Sequence, residues 1–251
     1  MLTSYLFENY LLLLVAIPAV LITGISKSGF AGGVGIIAVP LLALQVDPLR
    51  AAAIMLPLLI FMDILSVKYW WGKQQRQTLL LLLPAAVLGI ALGYLLYDYF
   101  NPQIIKLLLG AMSIIFAIWG LLKGVELGFS SSAWVGRVCG FIAGLSSFIA
   151  HAGGPPVSFY LLPLKLKKET FLATAVYFFA VVNSIKLIPY AMLGQLSFDN
   201  LLLALLLAPI AWIGVKLGLV IQGKIGNELF VKIIFVMLFI IGAKLVFDGL
   251  T

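Results

Sequence analysis

Long apolar runs, each ended by a short polar or glycine- and proline-rich stretch, divide the chain into ten segments of unequal length. The first half holds Tyr10–Ile25, Gly33–Leu44, Arg50–Trp71, Thr78–Tyr97 and Gln103–Leu122. The second holds Trp134–Phe148, Pro155–Leu164, Thr170–Met192, Phe198–Gln222 and Glu228–Phe247. A helix needs roughly 20 residues to cross the hydrocarbon core of a bilayer. The last three segments of each half reach that length, and the second segment of each half does not. The pattern therefore predicts that each half opens with a short broken or re-entrant helix pair, followed by three spans.

The two halves repeat one another. Pro84, Gly89 and Gly93 recur as Pro209, Gly214 and Gly218 at one constant offset. Upstream, Gly24-Ile25-Ser26 aligns with Gly144-Leu145-Ser146, and Gly32-Gly33 aligns with Gly153-Gly154 after one inserted residue. The common order of these matches predicts an internal duplication, with repeats at 1–124 and 133–251. For Gly89, Gly93, Gly214 and Gly218 the simpler reading is close helix approach, which small residues permit.

Charge sets the expected topology. Basic residues gather in alternate loops: Lys73 and Arg76, Lys123 and Arg137, Lys165 to Lys168, and Lys224. Only a count of five segments per half collects all four on one side, which is then cytoplasmic. Because five is odd, the repeats are inverted and both termini lie outside. The expected fold class is thus an all-α polytopic membrane protein of two inverted five-segment repeats.

Composition supports a lipid environment. The chain is 63% apolar and 10% charged, against roughly 45–50% and 25% for soluble domains. The single cysteine, Cys139, excludes an intramolecular disulfide and a cysteine-cluster metal site. The net charge of +7 resides in short loops, where it orients a membrane protein rather than binding nucleic acid. The stretch Met1–Tyr10 carries Glu8 and no positive residue, so it lacks the basic leader of a cleaved signal, and the first apolar run is expected to stay in the membrane. A multi-pass location in the cell's cytoplasmic (inner) membrane follows.

The chemistry is expected at the break between the first two segments of each half. The first break offers Ser26, Lys27, Ser28, Gly32, Gly33 and Gly35; the second offers Ser146, Ser147, His151, Gly153 and Gly154. Each ends where a helix begins, and Pro155 or Pro156 suits a first helical position. A helix N-terminus presents N–H groups and the positive end of the dipole, and glycine lets an anion approach that backbone. Two such ends across an inverted repeat would cradle one small oxyanion, with hydroxyl donors and the Lys27 charge beside it. The alternatives are packing kinks, and for Lys27 a side chain snorkelling to an interface.

His151, the only histidine, suits a proton-linked or ligand-binding role, or simply satisfies loop carbonyls. One histidine without an acidic cluster makes a poor metal site, and no cofactor is expected. Within the third segment of each half, Asp63 with Ser66, and Asn183 with Lys186, share a helix face. They are expected to line a pathway or couple an ion, or else to form an internal ion pair of Asp63 with Lys27 or Lys186. Lys216 and Lys244 read as interfacial or helix-contact residues, and Trp70-Trp71 as an aromatic belt.

At these residues the chain resembles the sulfite exporter TauE/SafE family of membrane permeases. The resemblance rests on Gly24–Gly35 (G-x-S-x-S-G-F-A-G-G-x-G), on Val39-Pro40-Leu41-Leu42 and on Gly153-Gly154-Pro155-Pro156, and it extends over nearly the whole chain. It implies a bacterial-type permease for small sulfur-containing anions such as sulfite, sulfoacetate or thiosulfate, or other organosulfur or carboxylate anions. The second break departs from the first by carrying His151 and no lysine.

The expected function is a secondary transporter with alternating access, the alternative being an anion-selective channel. An enzyme is not expected, since there is no H-E-x-x-H, no supported nucleophile and no P-loop. Expected partners are the small anion, a coupled proton or other ion, and the bilayer; the oligomeric state is left open.

Overall fold

The computed structural model describes residues 10–29, 37–99, 101–123, 132–221 and 227–251. Among these, ten α-helices carry the fold, and no strand occurs. They are α1 (Tyr10–Gly29), α2 (Ala38–Leu42), α3 (Pro48–Tyr69), α4 (Arg76–Leu95) and α5 (Pro102–Lys123), then α6 (Ala133–Ala150), α7 (Gly154–Leu161), α8 (Lys168–Met192), α9 (Phe198–Ile221) and α10 (Asn227–Leu250). Each corresponds to one of the ten apolar segments.

Local signals start and stop them. Asp47 accepts from the Leu49 and Arg50 amides at the head of α3, with Pro48 at its first position. Asn101 accepts from the Ile104 amide at 2.7 Å near the head of α5. The Ser132 hydroxyl accepts from the Val135 amide in α6.

Helices α1 and α6 depart from expectation. The stretches Gly24–Gly29 and Gly144–Ala150 are helical rather than unwound. As a result α1 and α6, at 20 and 18 residues, are themselves long and apolar enough to cross a membrane, and seven described helices meet that test. The reason is tertiary. Glycine inside a helix costs up to about 1 kcal/mol relative to alanine, but here it permits contact between helix backbones. A Cβ on Gly144 would stand 2.0 Å from the Ala86 carbonyl of α4, and one on Gly24 would stand 3.0 Å from Gly214 of α9. Cβ atoms on Gly89, Gly93, Gly214 or Gly218 would likewise fall within 2.7 Å of a neighbouring helix, so these four are helix-contact residues.

The most extensive packing joins α1 to α9, α4 to α6, and α5 to α10. Helices α3 and α8 pack on each other, α3 also on α9 and α8 also on α4. Most helix pairs therefore have a counterpart in which each helix is exchanged for the one five places along. Lys73 pairs with Glu169 at 2.9 Å, so the basic loops 70–75 and 165–167 share one end of the bundle. Arg50, Asn200, Gln195 and Tyr97 are linked by hydrogen bonds at the other end.

Candidate functional site

The middle of α3 and the middle of α8 meet through polar side chains. Asn183 Nδ2 donates to Asp63 Oδ2 at 2.7 Å. From the last turn of α1, Lys27 Nζ lies 2.8 Å from Asp63 Oδ1 and donates to the Leu59 carbonyl at 3.1 Å. One turn beyond Asn183, Lys186 Nζ lies 2.8 Å from the Ser147 carbonyl, 2.9 Å from Ser147 Oγ and 2.6 Å from His151 Nδ1. His151 Nε2 lies 2.8 Å from the Ala52 carbonyl. A carbonyl only accepts, so Nε2 carries the ring proton and Nδ1 accepts from Lys186. Six residues, from the four helices α1, α3, α6 and α8 and from the α6–α7 joint, thereby form a network of two bonded clusters, Lys27–Asp63–Asn183 and Lys186–Ser147–His151, one turn apart along α8.

The backbone at that joint is unusual. His151 adopts a left-handed conformation (φ 53°) that closes α6, its amide bonding to Ser147 and that of Ala152 to Ser146. Such a conformation costs an L-residue about 1–2 kcal/mol. The Ala52 and Lys186 contacts of the ring hold it there. A small cavity opens beside the network, bordered by Lys27, Ser147, His151, Asn183 and Gly154, with Phe179 on its apolar wall. Gly154 is the first residue of α7, and since Pro155 and Pro156 carry no N–H, fewer amides face the cavity than an ordinary helix start would offer.

The charges do not cancel. Lys186 is 0% exposed and Asp63 3% exposed. Asp63 is within ion-pair distance of Lys27, whereas Lys186 has no carboxylate within that distance among the described residues; the Ser147 carbonyl, Ser147 Oγ and His151 Nδ1 that it meets are neutral acceptors. Among the acidic residues in the described part of the chain, Asp63 alone lies well inside a helix; the others lie near helix ends or in connecting segments. A buried ammonium without a counter-ion is costly, and the arrangement is electrostatically prepared for an anion.

The other expected residues divide. The Ser28 hydroxyl bonds to the Gly24 carbonyl and, at 3.0 Å, to that of Val215, tying α1 to α9. The Ser146 hydroxyl bonds to the Ile142 and Ala152 carbonyls, and that of Ser66 to Met62. Ser26 is buried within α1. A Cβ on Gly153 would meet the Ala143 carbonyl at 2.8 Å, so this glycine seats the joint against α6. Gly32, Gly33 and Gly35 lie outside the described residues. Lys216 is exposed beside the Trp212 ring, and Lys244 pairs with Asp248.

The tryptophan pair separates. Trp71 is exposed, as an aromatic belt requires, but Trp70 is buried and donates from Nε1 to the Ser28 carbonyl at 3.2 Å. A residue that the sequence reading passed over, Tyr190, donates its hydroxyl to the Phe148 carbonyl at 2.7 Å. One signal pointed to it. At the offset that aligns Gly24 with Gly144, Trp70 aligns with Tyr190, Ser28 with Phe148, Lys27 with Ser147, Asp63 with Asn183 and Ser66 with Lys186.

A search of curated proteins and of solved structures found no match. The sequence profile of the family described as Sulfite exporter TauE/SafE matches residues 16–245, nearly the whole chain. Members of that family are membrane exporters of sulfite and related sulfur anions, which agrees with the apolar helices and the buried cationic site. The chain is a multi-pass membrane protein and belongs to the sulfite exporter TauE/SafE family.

Proposed function

We propose that this protein is a secondary transporter that moves a small sulfur-containing anion across the cytoplasmic (inner) membrane. The substrate is sulfite, thiosulfate, sulfoacetate or a similar organosulfonate, and it binds where α3, α8 and the α6–α7 joint converge. The observation that carries this reading is Lys186, fully buried and without a carboxylate partner among the described residues, and bonded to Ser147 and His151, which with Lys27, Asn183 and Gly154 border a small cavity. An anion entering that cavity supplies the missing negative charge.

The proposed architecture is two inverted repeats, with alternating access around this site. Two observations support it: the exchange-related helix pairings, and the matched bonds Trp70–Ser28 and Tyr190–Phe148 at aligned positions. The shared end of the bundle that carries loops 70–75 and 165–167 is assigned to the cytoplasm, because it gathers Lys73, Arg76, Lys165, Lys167 and Lys168. Transport is driven by the substrate's own gradient or by a coupled ion.

Counterflow in proteoliposomes tests the proposal. Vesicles loaded with unlabelled sulfite should accumulate external labelled sulfite transiently, and thiosulfate or sulfoacetate inside should replace it to the extent that each is a substrate. Absence of counterflow with any of the three, in protein shown to be folded, would remove the transporter reading. Saturation-free flux faster than carrier turnover would transfer it to a channel.

A further inference from the structure

The site has a countable charge, and the count selects a ligand. Lys27 and Asp63 form a buried pair at 2.8 Å and neutralise one another. His151 is neutral in this arrangement, since Nε2 faces the Ala52 carbonyl and Nδ1 faces the Lys186 ammonium at 2.6 Å; a second ring proton would point at that ammonium. Asn183, Ser147 and Tyr190, the other polar groups that touch the network or stack on the His151 ring, are uncharged. What remains, when Lys186 is protonated to meet an anion, is its single positive charge.

Resting on the reading above that this cluster is the anion site, we propose that it takes one singly charged oxyanion group, the sulfonate head of an organosulfonate or hydrogensulfite, and discriminates against anions that carry two charges on one group, sulfate and, among the substrates named above, thiosulfate. The physics is symmetrical. With Lys186 protonated the cluster carries one positive charge in a medium of low dielectric, and a single negative charge neutralises it. A dianion replaces it with one unpaired negative charge, equally buried, and must shed a more tightly held hydration shell. The donor supply works in the same direction. Each oxygen of a dianion calls for several donors, yet Lys186 already donates to three protein acceptors, and Pro155 and Pro156 withhold two amides from the start of α7. A substrate with a second charge, such as a sulfonated carboxylate, must hold that charge outside the cluster.

The test is calorimetric binding to the purified full-length protein at neutral pH and matched ionic strength, with methanesulfonate as the singly charged probe and sulfate as the doubly charged one. The parent should bind methanesulfonate at least about tenfold more tightly than sulfate. Asp63→Asn adds one net positive charge and should shift the preference toward sulfate. The double variant Lys27→Met with Asp63→Asn restores the parental count and should restore the preference for the single charge, whatever its absolute affinity; it keeps the test sharp should Asp63→Asn fold poorly. Sulfate binding to the parent as tightly as methanesulfonate, or a double variant that prefers sulfate, overturns the inference. If sulfite counterflow persists alongside either result, only the charge selection is lost and the transporter stands. If the parent binds neither probe and shows no sulfite counterflow, both readings fall together.

Discussion

Replacing Asp63 by asparagine isolates the electrostatics of the network with little change of shape. Asn183 can still donate to an oxygen at position 63, so the α3–α8 contact survives, but the Lys27 ammonium, 2.8 Å from the carboxylate, loses its counter-charge. Both side chains are 5% exposed, so water cannot reach in to compensate. Lys27 then keeps the Leu59 carbonyl at 3.1 Å, a neutral acceptor. Breaking a buried pair by removing one partner costs about 3–5 kcal/mol, whereas replacing both partners with neutral groups of similar volume is often close to neutral. On the calibration of soluble domains of this size, where about 1 kcal/mol moves Tm by 2–4 °C, Asp63→Asn should lower Tm by roughly 6–20 °C. The double variant Lys27→Met with Asp63→Asn should recover most of that loss. Thermal unfolding of the purified protein in detergent, with both single variants and the double, gives the coupling energy directly. A single variant within about 1 kcal/mol of the parent, or a double variant no better than the worse single, would refute the claim that the pair is buried and mutually dependent.

Three further outcomes follow from the packing. Gly144→Ala sets a methyl group 2.0 Å from the Ala86 carbonyl, so α4 and α6 must separate; a loss of about 1–3 kcal/mol is expected, and an unchanged Tm would contradict the close approach. Trp70→Phe and Tyr190→Phe each strand a buried carbonyl, of Ser28 and Phe148, and should cost about 1–3 kcal/mol, while Trp71→Phe at a 74% exposed position should stay within about 0.5 kcal/mol. In a Cys139→Ala background, cysteines at Lys73 and Lys165 should label from the same, cytoplasmic side and a cysteine at Ser197 from the other; labelling of Lys73 and Lys165 from opposite sides would end the inverted-repeat proposal.

Much of the helix layout was legible because apolar run length is a strong signal in a membrane chain, and ten runs correspond to ten helices. The ends of α1 and α6 were not. Gly24 and Gly144 look like breaks in isolation, and only the backbones of α9 and α4, distant in sequence, make a helix the better state there. At the site, Lys27, Asp63, Asn183, Lys186, Ser147 and His151 were each identifiable as polar residues in apolar surroundings. Their partners were not, since pairing depends on which helix faces which. The sequence left open whether Asp63 meets Lys27 or Lys186, and the answer moves the uncompensated charge from the first break to α8. Ser28 and Ser146 illustrate the opposite error, because a hydroxyl in a glycine-rich stretch reads as a ligand donor until its own helix carbonyl claims it.

The central claim is that Lys186 supplies the charge that an anion answers, and labelled sulfite flux into proteoliposomes by Lys186→Met beside Lys216→Met tests it most directly. Loss of this desolvated charge, valued on the scale of a charge-assisted hydrogen bond at about 1.5–3 kcal/mol, should reduce flux at sub-saturating sulfite on the order of tenfold to a hundredfold in Lys186→Met. Lys216→Met, at an exposed position on α9, should transport like the parent. A folded Lys186→Met protein that carries sulfite as well as Lys216→Met would contradict the account.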